Sequence, residues 1–577
     1  MPALQTIYPW GYTVLHMKTL IVGGVAGGMS AATRLRRLDE HAQIVVLERG
    51  RYVSFANCGL PYYVGGVIED RDSLLLQTPE SLAARFALDV RVGHEVVAID
   101  PAAKTVTVRE LASGETTTET YDSLVLAAGS SAAPRAGSGD LPWHTLRTVD
   151  DVDHISALLG AAGAEVRAVV VGGGFIGLEA VENLRARGVH VTLVQRGPQI
   201  FSPLDPEMVQ PVVETLRGAG VDVRTGVTVV ASGAGHVDLS DGSSLPAHLV
   251  VDASGVTPET TLAVAAGLTI GPTGGIAVDG RQRTSDRSIW AVGDGVEKVD
   301  AISAEPTLVT MAGLANRHGR AAADDIAGLD PDDALPALGT SIIGILGLTV
   351  ATVGWNEKRL TAAGRAHRVV HTHPSSHAGY YPGAAPMAIK LLVDPADDAI
   401  LGAQIVGTDG VDKRIDVIAT AMVGGITARG LAHLELAYAP QYGSAKDPVN
   451  LLGYVAENVA DGVVATVQWH ELDEQRRDGA TLVDVRSADE HARGAIPGAL
   501  SVPLDNLRGR LHDLPAGPLI VHCQVGQRGH TAARLLTQLG YEVSNLDGGW
   551  KTWAAGTASR RAGEHITAAS VAAGVRA

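Results

Sequence analysis

The chain has 577 residues, 46% of them hydrophobic, with 68 glycines, two cysteines and a formal net charge of −17. That length exceeds a single hydrophobic core, which stops growing near about 250–300 residues, so several domains are expected. The acidic balance argues against nucleic-acid binding, two cysteines exclude a disulfide framework and point to the cytoplasm, and no run of about 18 apolar residues predicts a membrane span.

Residues 1–16, MPALQTIYPWGYTVLH, lack a basic n-region and a small-residue cleavage site, and read as a disordered extension. From Met17, KTLIVGGVAGGMSAATRLRRLDEHAQIVVLERG reads strand, glycine-rich turn, helix, strand. Gly23 and Gly28 hold the outer positions of a G-x-G-x-x-G turn, with Val25 at the middle one. Glu48, at the end of the second strand, stands where an acid binds the ribose of a dinucleotide. A second unit, RAVVVGGGFIGLEAVENLRARGVHVTLVQRG, carries the full pattern at Gly172, Gly174 and Gly177. Its glycines permit the tight turn and close backbone approach, and its helix N-terminus suits a pyrophosphate. Gln195 replaces the acid and Arg196 follows it. Loss of the repelling charge and gain of a cation admit NADPH, so NADH and NADPH both stay open.

Two such units predict an α/β chain with two Rossmann-like dinucleotide-binding domains and hydride transfer from nicotinamide to flavin. YDSLVLAAG leaves the first domain, and VVDASG and SIWAVGDG return to it, with Asp294 placed to reach a flavin ribityl chain. The flavin domain is therefore split over 17–130 and 255–330, around a nicotinamide domain at 131–254. Shorter strands with helices between them predict an α+β domain over 335–455. TLVDVR, LIVHCQ and YEVSNLDGG open a last small α/β domain over 466–565. No metal site is expected.

SFANCGLPYYVGG places Cys58 close behind the first unit. This segment resembles the redox-active segment of the single-cysteine flavin disulfide reductases, and is most similar to coenzyme A disulfide reductase and the NAD(P)H-dependent persulfide reductases. HAGYYPGA, GVDKRIDV and LAYAPQYGSAKDPVN extend the resemblance over about 17–454. It implies FAD, NADH or NADPH as reductant, coenzyme A as substrate or ligand, and a homodimer built through the third domain. It also implies that Cys58 faces the flavin, and that tyrosines of the partner subunit, here Tyr380 and Tyr438, stabilise or protonate a departing thiolate. Tyr381 and Tyr442 are adjacent candidates. Glutathione-reductase relatives carry C-x-x-x-x-C; here the fifth residue on is Tyr63, so the chemistry must run on one sulfur. A thiolate at Cys58 calls for nearby cations or dipoles. The expected cofactor set is Gly23, Gly28, Glu48 and Asp294 for flavin, with Gly172, Gly174, Gly177, Glu179 and Arg196 for the nicotinamide nucleotide. Arg34 and Arg37, one turn apart on a helix, suit coenzyme A phosphates, and Ser54 and Asn57 join them as expected coenzyme A contacts.

LIVHCQVGQRGHTAARLL, with LVDVRSADEHARGAIPGALSVPL and NLDGGWKTW, is similar to the rhodanese family. Backbone N–H groups of Gln524 to Arg528 would ring the sulfur of Cys523, and Arg528 would add a fixed charge. A related phosphatase loop is one residue longer, so sulfur is favoured over phosphate. Asp484 and Arg486 are expected to hold the fold. The combined expectation is a reductase of coenzyme A disulfide, persulfide or polysulfide, with Cys523 handling sulfane sulfur. The alternatives are an oxidase or peroxidase cycling Cys58 through sulfenic acid, and a sulfur carrier or sensor with a vestigial reductase half.

Overall fold

The computed structural model describes residues 17–132, 141–161 and 165–572, together with two three-residue strands ahead of them, Gln5–Ile7 and Thr13–Leu15. These two strands pair antiparallel. The rest of the leader lies outside the described residues.

The apolar runs TLIV, IVVL and SLVL become strands covered on both faces, as a parallel sheet requires. Strand Lys18–Val22 is central, flanked by Gln43–Glu48 and Ser123–Leu126, and Asp89–Val92 and Ile289–Ala291 form the edges, all parallel. Strand Ile289–Ala291 brings the returning segment into the first sheet, which sets Asp294 beside the first glycine turn. The second parallel sheet runs Trp143–His144, Leu249–Asp252, Arg167–Val171, His190–Gln195, Asp222–Thr225. Ser130–Ala132 pairs antiparallel with Val256–Pro258, so the chain enters and leaves this domain through one two-stranded neck.

The third domain is a five-stranded antiparallel sheet in the order Ser341–Ile345, Leu348–Gly354, Ile400–Gly407, Met387–Val393, Arg368–Thr372. Helices Val411–Val423 and Pro448–Ala460 cover one face. The last domain is a parallel sheet in the order Ala465–Val467, Val543–Leu546, Leu519–His522, Thr481–Asp484, Leu500–Ser501. Among the described residues no helix is long and apolar enough to cross a membrane.

The last domain is locked to the others through buried charge. Its helix Gly549–Ala572 lies along Pro206–Gly218 of the second domain. Asp547, in the loop before that helix, accepts from the backbone N–H of His371 at 3.0 Å and lies 2.8 Å from its Nδ1. The other ring nitrogen lies 3.1 Å from Glu207 of the second domain. Burial alone would push the imidazole down, but the charges and hydrogen bonds of Asp547 and Glu207 outweigh it and hold His371 at about 9. Beneath it the Lys390 ammonium lies 2.9 Å from Asp205, 2.5 Å from Glu207 and 2.5 Å from Glu357. These three carboxylates converge as if around a metal ion; the ammonium fills that place.

A folded-state value above the ordinary 6.5 means that the His371 contribution is complete below about pH 6.5 and is lost as pH rises through about 9. The nearby His373, pushed down to about 3 by burial and then by the charges of His371 and Lys551, stays neutral throughout. Lys390 is held above its ordinary range and keeps its charge. Limited proteolysis of the connection at 461–464 is therefore expected to accelerate several-fold between pH 7 and pH 10, and a His371→Asn chain should show no such rise.

Candidate functional site

Cys58 sits in a 3-10 turn, Asn57–Gly59, that runs directly into helix Leu60–Gly65. The segment is anchored on both sides. Ser54 N–H donates to the Gly24 carbonyl of the first glycine turn at 2.8 Å, and Ala56 N–H donates to Leu74 O at 2.7 Å. Ser54 is held at φ +45°, a left-handed conformation that a serine adopts only under such constraint. Leu60 and Val64 are buried in a core shared with the second domain and with Ile343, Ile345 and Val406 of the third. Helix Leu60–Gly65 lies so close to Phe175–Ala186 that a Cβ on Gly65 would overlap the Asn183 side chain. One loop thus fixes the sulfur against three domains.

The Cys58 side chain reaches solvent, yet its thiol is pushed up, first by desolvation from the surrounding protein, then by the charges of Glu179 and Asp294. Of the cations or dipoles expected, the chain supplies a backbone hydrogen bond that lowers the thiol, while the side-chain charges that act on the sulfur are acids. Glu179 belongs to the helix that opens the second glycine turn, and burial, followed by the charge of Glu182, raises it to about 7. Asp294 is also raised by burial, against the pull of Lys298 and Arg147. The charges of the expected residues Glu179 and Asp294 thus both act on Cys58, Glu179 from the helix that follows the second glycine turn. A Glu179→Gln chain should show a lower Cys58 pKa. Its alkylation by iodoacetamide at pH 8, where Glu179 is ionised, is expected to run about threefold to tenfold faster; an unchanged rate would disconnect the two groups.

The two glycine turns repeat one construction. Gly23 and Gly172 lie at φ +103° and +101°, and a Cβ on Gly28 or Gly177 would overlap the carbonyl of Gly23 or Gly172. The middle position is the helix N-cap in both, with negative φ at Val25 and at Gly174, so the first turn tolerates its valine. Around Gly174 a Cβ would meet nothing within 4 Å, which leaves the turn open to a ligand. Glu48 accepts from Gly24 N–H at 2.8 Å and Gly50 N–H at 2.7 Å. Gln195 takes the same part in the second turn, accepting from Gly173 N–H at 2.9 Å. It does so without a negative charge beside Arg196, whose side chain is exposed.

Around the first turn the residues fit a flavin dinucleotide. Buried Lys298 donates to Gly293 O at 2.6 Å and Val296 O at 2.8 Å beside Asp294, and burial lowers it to about 8. His318 is buried with Nδ1 unpartnered and is pushed down to about 4 by burial. Lys298 and His318 carry no sequence motif and were not anticipated.

Other expected residues stand apart. Arg34 gives its Nε to Asp324 at 2.5 Å, and Arg37 is exposed. Asn57 is exposed beside Cys58. Tyr380 and Tyr438 are exposed with their hydroxyl oxygens 2.9 Å apart, and Tyr381 and Tyr442 are exposed near them in sequence. The hydrogen bond that Tyr438 shares with Tyr380 pushes the Tyr438 hydroxyl up.

The second sulfur is of another kind. Cys523 is fully buried, at the start of a loop that turns at Gly526, φ +93°, into helix Gln527–Gln538. Trp550 N–H donates to Cys523 O at 2.8 Å and Lys551 N–H to Gln524 O at 3.1 Å, so the start of helix Gly549–Ala572 braces the loop carrying the sulfur. Asp484 accepts from the backbone N–H, Nε and Nη2 of Arg486, which also donates to Gly494 O, a structural role for this pair. Arg528 donates through both terminal nitrogens to Glu490, at 2.7 Å each. That bond raises its pKa most, and Cys523 adds a smaller contribution.

Residues 17–314 match the pyridine nucleotide-disulphide oxidoreductase family, 341–447 match its dimerisation domain, and 468–556 match the rhodanese-like domain. A coenzyme A disulfide reductase of Staphylococcus aureus is 34% identical over 440 residues, 76% of this chain and all of its own length. The structure of reduced CoADR-RHD from Bacillus anthracis superposes with a TM-score of 0.91 at 45% identity, covering 94% of this chain and 99% of that one. A NAD-dependent persulfide reductase from A. fulgidus gives 0.87 at 35% identity, covering 93% and 100%. With two glycine turns of one construction, a sulfur set against the first and second of them, and a buried sulfur in a domain of its own, the chain belongs to the pyridine nucleotide-disulphide oxidoreductases, as an oxidoreductase of the kind that carries a rhodanese-like domain after the dimerisation domain.

Proposed function

We propose that the protein is an FAD-dependent NAD(P)H reductase of coenzyme A disulfide and coenzyme A persulfide, acting as a homodimer through Cys58, with Cys523 carrying sulfane sulfur. One observation carries the reading: Cys58 is the sole cysteine of the reductase portion, and it is fixed between two dinucleotide turns. FAD bound there would supply the two electrons drawn from nicotinamide.

The Cys58 thiolate attacks one sulfur of the disulfide, forming Cys58–S–S–CoA and expelling CoA–S⁻. With the persulfide, attack on the inner sulfur forms the same mixed disulfide and expels HS⁻. Two electrons then return the mixed disulfide to two thiolates. Glu179, raised to about 7, can take up or release a proton at neutral pH beside this sulfur. The exposed pair Tyr380 and Tyr438, supplied by a second copy, suits protonation of the departing coenzyme A thiolate. Persulfide is preferred to disulfide as the physiological substrate because a domain of sulfane chemistry is joined to the same chain.

Anaerobic stopped-flow absorbance tests the reading. The holoenzyme, prereduced by NADH or NADPH, is mixed with coenzyme A disulfide, coenzyme A persulfide or dissolved oxygen. Rapid reoxidation by both sulfur compounds, with hydrosulfide released from the persulfide, is expected. Reoxidation by oxygen alone would favour the oxidase alternative, and none by any of the three would favour a vestigial reductase.

A further inference from the structure

We propose that the Glu490–Arg528 ion pair sets the donor specificity of the Cys523 site, closing it to oxyanion donors such as thiosulfate and reserving it for persulfides. The proposal rests on Cys523 being a sulfane sulfur carrier.

The two donor classes ask different things of the loop. A persulfide hands over its outer sulfur: R–S–SH and Cys523–S⁻ give Cys523–S–SH and R–S⁻, one S–S bond breaking as another forms. The charge in the loop is then a single anion on sulfur, which backbone dipoles and a helix N-terminus can hold. Thiosulfate gives Cys523–S–S⁻ and sulfite by the same exchange. It must bring a dianion against the loop and leave as a dianion, and oxyanions of that charge are held by fixed guanidinium or ammonium groups.

No unpaired guanidinium stands at this loop. Gln524, Val525, Gly526 and Gln527 are uncharged. Arg528, the single cation of the loop, gives both terminal nitrogens to Glu490 and keeps only a weaker hydrogen bond to Cys523. Glu490 is itself held at about 2, chiefly by Arg528, so its charge persists at every working pH. Arg486, whose Nη1 lies 3.2 Å from Gln524 Oε1, is spent on Asp484. Burial keeps His522 neutral, at about 4, and lowers His530 as well. Lys551 is exposed, and its charge acts on His373 of the third domain. The surroundings of the sulfur are thus charge-compensated, with a carboxylate on the one cation that could receive an oxyanion. Glu490 is well fixed for this part: it closes a capping box with Ser487 at the start of helix Ala488–Ala492.

The test uses the full-length holoenzyme, with cyanide as acceptor and either thiosulfate or glutathione persulfide as donor, and compares kcat/KM. The wild-type chain should favour the persulfide by about a hundredfold or more. Glu490→Gln keeps the capping box, removes the charge and releases Arg528; the persulfide-to-thiosulfate ratio should fall at least tenfold, through a lower KM for thiosulfate. Glu490→Asp, which keeps the charge, should leave the ratio near that of the wild type and so separates charge from folding. Comparable use of both donors by the wild type, or an unchanged ratio in Glu490→Gln, would overturn the proposal. Mass spectrometry of the Cys523 peptide distinguishes its basis: if neither donor leaves a persulfide there, the carrier reading fails and the proposal falls with it.

Discussion

Replacing Cys58 with serine will lower kcat/KM for coenzyme A disulfide and coenzyme A persulfide alike by about a thousandfold or more, equivalent to about 4 kcal/mol of lost transition-state stabilisation. The size of the effect follows from the absence of a substitute. Tyr63 stands where a second cysteine would close an internal disulfide, and Cys523 is fully buried in another domain. A serine hydroxyl cannot exchange with an S–S bond, and the anchoring of the loop at Gly24 and Leu74 leaves no other side chain free to take the position. Steady-state NAD(P)H oxidation with each substrate measures it. Cys523→Ser should retain the coenzyme A disulfide reaction, because sulfane transfer has no part in it.

The second large effect concerns stability. Lys390→Met is expected to destabilise the chain by about 3–5 kcal/mol, the cost of removing one partner from a buried ionic cluster. Lys390 is fully buried among Asp205, Glu207 and Glu357. Its charge holds Glu207 well below the ordinary carboxylate range against burial, and together with the hydrogen bond from His470 it holds Glu357 at about 2. Without it three carboxylates face one another in a dry interior. Asp205 keeps backbone donors at Glu357 and Lys358, at 3.0 and 3.2 Å; Glu207 and Glu357 have less to fall back on. Adding Glu207→Gln and Glu357→Gln to Lys390→Met should therefore restore most of the loss. Thermal unfolding of the three chains checks both steps, and a Lys390→Met chain as stable as the wild type would refute the role given to the cluster.

The parts legible in the sequence are local ones. Both glycine turns, the strands around them and the segment around Cys58 are continuous stretches whose conformation is dictated by their own residues. The overlaps at Gly28 and Gly177 and the positive φ at Gly23 and Gly172 are the physical content of the pattern. The return of the chain to the first sheet was legible because SIWAVGDG has a strand pattern that ends in a turn. Charge partnerships were not legible. Arg34 and Arg37 make a basic helix face, but the bond from Arg34 Nε to Asp324, 290 positions away, has no sequence signal. Arg528 adds the charge beside Cys523 that its spacing suggests, but its fork is shared with Glu490, 38 positions away, which no spacing rule shows. Of the cations or dipoles expected at Cys58 the structure supplies a backbone dipole, and the charges that act there are acidic because Glu179 comes from the other dinucleotide unit. The lock of His371, Glu207 and Asp547 joins three domains; no spacing rule connects residues so far apart, and only the packing of helix Gly549–Ala572 along Pro206–Gly218 brings them together.

The most direct test of one-sulfur chemistry is the mass of the cysteine peptides after coenzyme A disulfide is added to the prereduced holoenzyme and the reaction is quenched in acid without reductant. A coenzyme A adduct on the peptide containing Cys58, with Cys523 unmodified, is predicted. An adduct confined to Cys523, or a disulfide between Cys58 and Cys523, would contradict it.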